Sequence, residues 1–146
     1  MTAQPVTPRV RIQRVLPGTP EQVFDAWINP RKAALWMAPG AMTVARFDVD
    51  AQVGGAFELV MRGNDGEHVR RGKYVEIDRP KRLVFTWITG PTTDEPSIVS
   101  IELRPVFGGT ELTLVHEKLP ADEVEPHRQG WTSIDEKMAE GIRSAA

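Results

Sequence analysis

The sequence predicts an α+β fold in which an antiparallel sheet curls around one long C-terminal helix. Two observations carry this. From Met42 to Glu117 short runs of alternating apolar residues follow one another, separated by turn residues, and from Asp122 to Arg143 a single apolar stripe recurs at helical spacing. Each strand has one apolar face, and so does the helix, so burying the two faces together is the economical assembly.

The helix comes first because its stripe needs a receiver. Val124, His127, Trp131, Ile134, Met138 and Ile142 fall in one arc over about six turns. Asp122, Glu123 and Glu125 crowd its start and Arg143 sits near its end, the distribution that suits the helix dipole. Two residues cost stability. Gly130 lies mid-helix beside Trp131, at about 1 kcal/mol against alanine, and predicts a close approach by another backbone or by a ligand. Pro126 belongs only in a first turn, so the helix either starts near it or begins at Asp122 with a backbone bond missing.

Taken in order, Met1 to Pro8 reads as a flexible tail and residues 9–146 as a single domain. Arg9 to Leu16 alternates like a half-buried strand, with Val10 and Ile12 inward. Thr19-Pro20-Glu21-Gln22 has the signature of a capping box with proline at the first helical position, followed by an apolar face of Val23, Phe24, Trp27 and Ile28. Asn29-Pro30 repeats the device and opens a second short helix carrying Leu35, Trp36 and Met37. The strand sets that follow are Thr43, Ala45, Phe47 and Val49; Phe57, Leu59 and Met61; Leu83, Phe85 and Trp87; Val99, Ile101 and Leu103; and Leu112, Leu114 and His116. Asn64-Asp65-Gly66 and Gly108-Gly109 supply hairpin chemistry, and Gly90 to Pro96 is the longest loop. Glu67 to Asp78 is a strand whose inner face stays open, since Val69, Val75 and Ile77 share one side with Arg71 and Lys73, while His68 and Tyr74 share the other.

Composition removes several functions. The 146 residues hold 18 basic and 20 acidic side chains, a net charge of −2 with no basic run, which argues against nucleic acid as a partner. There is no cysteine, hence no disulfide or thiolate chemistry, and a cytoplasmic location is expected. No apolar run approaches the ~18 residues needed to span a bilayer, so membrane insertion is not expected.

An ordered set of segments resembles one family. Val23-Phe24-Asp25-Ala26-Trp27, Asn29-Pro30 and Leu35-Trp36-Met37-Ala38-Pro39 are similar to the opening of the SRPBCC, or START-like, superfamily. Gly54-Gly55-Ala56-Phe57, Met61-Arg62-Gly63, Pro80 to Trp87, Gly109 to Leu114, His116-Glu117 and His127 to Trp131 continue the match, most closely to the branch named after activators of the heat-shock chaperone ATPase. The resemblance implies a helix-grip fold with an apolar cavity between sheet and helix. Members of the wider superfamily bind lipids, hormones or polyketides there, and some are cyclases or hydroxylase components. Met37 stands where the family often has a second tryptophan.

The chemical search is mostly negative. Gly66 to Lys73 is not a phosphate-binding loop, because five residues separate its glycines and Tyr74 replaces the Ser or Thr. No nucleophile elbow, zinc helix or dinucleotide fingerprint occurs. His116 and Glu117 point to opposite faces of a strand; His116 reads first as a satisfied core residue and second as a polar anchor at a cavity end. With His127 it makes at most an incomplete metal site, so neither a metal nor a cofactor is expected. Glu58 and Glu102 should point outward, and Asp135, at the edge of the stripe, reads as solvated.

The expected function is binding of an apolar or aromatic small molecule, with Trp36, Phe57, Met61, Tyr74, Trp87, His116, Trp131, Ile134 and Met138 as cavity-lining candidates. Two alternatives are carried. One is a cyclase-, aromatase- or hydrolase-like enzyme using His116, Tyr74 or Asp135, and the other a chaperone-associated interaction module. Exposed edge strands make a homodimer a further expectation.

Overall fold

Local chemistry sets the elements. The computed structural model describes residues 9–89 and 96–145, so the expected tail at Met1 to Pro8 and all but Pro96 of the expected loop lie outside the described residues. Strand β1 is Val10–Leu16. Helix α1, Pro20–Ile28, opens on the expected capping box: the Gln22 N–H donates to Thr19 Oγ1 at 3.1 Å, and the Thr19 N–H donates to Gln22 Oε1 at 2.8 Å. Asn29 then caps α2, Pro30–Ala33, through its side-chain oxygen. That helix is shorter than expected. It ends at Ala33, before the predicted apolar residues, and leaves Leu35 exposed while Trp36 and Met37 are buried in the following turns.

Strands β2 (Thr43–Val49), β3 (Ala56–Gly63), β4 (Gly66–Asp78), β5 (Arg82–Trp87), β6 (Ser97–Val106) and β7 (Gly109–Glu117) complete a seven-stranded antiparallel sheet of order β1-β7-β6-β5-β4-β3-β2. Most inner faces match the expected alternation: Phe57, Leu59 and Met61, then Leu83, Phe85 and Trp87, and likewise the inward sets of β6 and β7, are buried. In β2 a register shift between Val44 and Arg46 breaks the simple alternation, so Val44 replaces Thr43 and Ala45 on the inner side. In β4 the inner face is the one carrying His68, Arg70, Gly72 and Tyr74, and Val69 and Val75 face outward. The outer face is laced with ion pairs, including Arg82 with Glu102 directly opposite and Arg46 with Glu58, which places both carboxylates outward as expected.

A 3-10 turn at Ala121–Glu123 leads into helix α3, Val124–Ala145. Pro126 sits in the first turn of α3, where its missing N–H orphans no carbonyl. The α3 stripe meets β1 and α1, and its aromatic partners come from the sheet and from α1: Trp131 lies 5.0 Å from Trp87 on β5 and 5.8 Å from Trp27 on α1, centroid to centroid. Trp27 also meets Trp36 edge-on at 4.9 Å, and Phe57 meets Phe85 edge-on at 5.5 Å. Such pairs add about 0.5–1.5 kcal/mol each beyond the area they bury. No helix among the described residues is long and apolar enough to cross a membrane.

Gly72 is the position where this packing leaves no room. It stands opposite Phe57 in the β3–β4 ladder, and a Cβ there would lie 2.7 Å from the Phe57 ring and 1.9 Å from the Thr86 carbonyl oxygen. Gly72→Ala should therefore destabilise the fold by about 3 kcal/mol, the upper end of ordinary overpacking costs, measured as a fall in urea midpoint without a change in slope.

Candidate functional site

The centre of the α3–sheet interface is a hydrogen-bond chain whose direction is fixed by its two ends. Trp131 Nε1–H can only donate, and it reaches His116 Nδ1 at 2.9 Å. The proton of the His116 ring is thereby assigned to Nε2, which donates to Ser97 Oγ at 2.7 Å, and Ser97 in turn donates to the Trp87 carbonyl at 2.8 Å. His116 is fully buried, and burial together with the nearby His127 pushes its pKa down to about 3. Both ring nitrogens are committed. His116 is thus a neutral structural bridge between α3 and the β6–β7 pair, its first expected role, and has no free nitrogen for acid–base work.

Beside this bridge a cavity of about 220 Å³ opens between the start of α3 and the inner faces of β3 and β4. Met61, Trp87, Trp131 and Ile134 form its apolar wall. Arg70, Glu123 and His127 form a polar side, and Pro39, Met42, Pro126 and Gly130 complete the rim. The segment at Ala38–Met42 is tied to α3 rather than free: the Gly40 N–H donates to Ser133 Oγ at 2.8 Å, and Lys137 Nζ donates to the carbonyls of Ala38 and Met42. Gly130 lacks the backbone neighbour that was one of its two expected reasons. A Cβ there would meet only Pro39, at an ordinary 3.9 Å, so no backbone approach demands glycine, and its place is on the cavity rim.

The polar side has its own electrostatics. His127 Nδ1–H donates to the Glu123 carbonyl at 2.9 Å, with the Glu123 carboxylate 3.5 Å from the same nitrogen. Burial lowers the His127 pKa against the opposing pull of Glu123, with Arg70 adding to the lowering. Burial also lowers the pKa of Arg70, opposed by Glu123.

The sequence-derived candidates therefore divide. Met61, Trp87, Trp131 and Ile134 come together at the cavity. Phe57 and Tyr74 instead join Trp87 and Phe85 around a void of about 10 Å³, the size of a single water at most, and burial pushes the Tyr74 phenol upward. Trp36 lies on a separate open groove with Ser133 and Lys137, and Met138 is packed in the core. Among the described residues no His, Asp or Glu trio is placed to hold a metal ion. Arg70 was missed, although its parity with His68 and Tyr74 along β4 was the available signal.

Asp135 requires a correction. It is 1% exposed rather than solvated, and neither carboxylate oxygen has a hydrogen-bond partner among the described residues. Burial pushes its pKa up to about 7, against the opposing charge of Arg14 on β1. It belongs to the buried face because Trp131 and Ala139, one turn away on either side, are buried there too.

Sheet order, curvature around α3 and the paired short helices define an α+β helix-grip domain of the SRPBCC superfamily. The chain belongs to the family described as Activator of Hsp90 ATPase homolog 1-like protein, whose model matches residues 17–142. It is similar to a crystal structure of a Chromobacterium violaceum protein, at 28% identity and TM-score 0.81 over 90% of this chain and 95% of that one. It is likewise similar to the AHSA1 protein from Silicibacter pomeroyi, at 27% identity and TM-score 0.80 over 94% and 99%. A Rhodobacter sphaeroides protein at 19% identity shares the fold at TM-score 0.84 over 99% of this chain and 98% of that one. No curated protein matches the chain.

Two measurements test the interior. Nitrogen NMR should show His116 as the neutral Nε2–H tautomer from pH 8 down to pH ~4, and Ser97→Ala should cost about 1–3 kcal/mol by orphaning that N–H. For Asp135 the raised pKa means that stability is full below the ordinary carboxylate range and is lost as pH rises toward about 7. The loss is on the order of 4 kcal/mol. His116, with a lowered pKa, acts in the opposite sense, losing stability as pH falls below ~6.5. The difference between wild type and Asp135→Asn isolates the carboxylate: the variant should gain on wild type from pH 4.5 to about pH 7 and level off above it in denaturant unfolding.

Proposed function

We propose that the protein binds a small apolar or aromatic molecule in the cavity between the start of α3 and strands β3 and β4. The observation that carries this reading is the 220 Å³ space walled by Met61, Trp87, Trp131 and Ile134. Apolar walls with a few convergent polar groups are the usual make-up of a small-molecule site. Its volume is that of about seven waters, so it suits a compact guest on the order of ten non-hydrogen atoms.

The three residues of the enzymatic alternative are not gathered at this cavity. His116 has both nitrogens engaged, and neither Tyr74 nor Asp135 lines this cavity. Two tryptophans in the wall make occupancy observable. Native mass spectrometry should show a retained small molecule, or titration with compact aromatics should shift both tryptophan emission and the melting temperature. Met61→Trp, which projects bulk into the cavity, should abolish those shifts while preserving the circular dichroism of the fold. A wild-type protein that is empty and unresponsive to every member of such a set would overturn the proposal.

A further inference from the structure

Arg70 is the feature of this cavity that a purely apolar guest leaves unexplained. It lies on the inner face of β4, opposite Leu59, and lines the cavity with Met61 and Trp87. Arginines on the outer face pair with carboxylates, as Arg46 does with Glu58 and Arg104 with Glu111. Among the described residues Arg70 donates one hydrogen bond, from Nη1–H to the Val69 carbonyl at 3.1 Å, and no carboxylate lies within 4.0 Å of it. Glu123, the carboxylate that lines the cavity, lies 3.5 Å from His127 Nδ1 and acts on Arg70 through its charge alone. His127 donates its Nδ1–H to the Glu123 carbonyl, and burial, the largest influence on it, lowers its pKa and so disfavours a second cation beside Arg70.

We infer that the ligand is a compact carboxylic acid, its carboxylate held by the guanidinium of Arg70 and its apolar body lying against Met61, Trp87, Trp131 and Ile134. The inference rests on the proposed binding function and names the chemical class of the guest. A guanidinium presents parallel N–H donors that match a carboxylate in a two-point contact, and the match strengthens where the arginine is partly withdrawn from water. The cavity therefore has one end for an anion and one for a ring or a branched chain. Glu123 sets the specificity from the other side, because its own charge at the rim opposes a second carboxylate and favours monoacids over diacids.

The probes are phenylacetate and 4-methylpentanoate, each against its primary amide, followed by tryptophan emission at pH 7. The acids should bind the wild type about tenfold tighter than their amides, a charge-assisted margin. That preference should fall to within about twofold in Arg70→Gln, survive in part in Arg70→Lys, and grow in Glu123→Gln. Equal binding of acid and amide by the wild type would overturn the acid assignment and leave the binding function standing. So would an undiminished acid preference in an Arg70→Gln protein whose circular dichroism and Tm match the wild type. No response to any of the four probes would overturn the acid assignment, and the binding function with it if the protein is also empty by native mass spectrometry and unresponsive to the compact aromatics.

Discussion

The hydrogen-bond chain from Trp131 through His116 and Ser97 to the Trp87 carbonyl is what the remaining architecture depends on. An apolar stripe can slide or rotate against an apolar sheet at little cost, whereas a buried indole N–H has to find an acceptor. By presenting one nitrogen to α3 and the other to β6, His116 fixes both the depth and the rotation of the helix. The wall tryptophans Trp87 and Trp131 sit at the two ends of this chain, so the device that seats the helix also shapes the cavity. Removing the imidazole would leave a donor on the helix and a hydroxyl on the sheet facing each other across a gap.

The fold was legible because period and punctuation agree along the chain. Thr19 and Gln22 announce α1, the apolar spacing after Val124 announces α3, and the apolar residues of β1, β3, β5, β6 and β7 alternate as they should. Failures cluster where a polar residue faces inward. In β4 the period was clear, but which side was inner was not, because the inner side carries His68 and Arg70 and the outer side carries Val69 and Val75. Hydrophobicity identifies a buried face only where that face meets the core, and this end of β4 meets the polar side of a cavity instead. Ala45 in β2 failed for another reason: a bulge displaces the alternation without any mark in residue type.

The candidate site was half legible for the same reason. Trp87, Trp131, Met61 and Ile134 could be drawn together because large apolar residues on facing elements must meet. Nothing in their spacing says how much space remains between them. Phe57, Tyr74 and Phe85 illustrate the limit, having the same character and facing the same interior, yet closing on one another almost completely. Free volume arises from side-chain shape and from where the Ala38–Met42 segment is fastened, and that fastening runs through Ser133 and Lys137 on the polar edge of α3.

The buried indole N–H groups of Trp27, Trp36 and Trp87 have no acceptor among the described residues, and the Asp135 carboxylate has no donor. As a medium, such an interior resembles wet octanol more than alkane, since it retains unspent hydrogen-bonding capacity alongside its rings. Transfer from water into a medium of that kind penalises polar atoms far less than transfer into hydrocarbon does. A molecule of mixed character held beside Trp87, the one of these residues that also lines the proposed cavity, would partition there more favourably than its oil solubility suggests, and a purely aliphatic one would enjoy no special advantage.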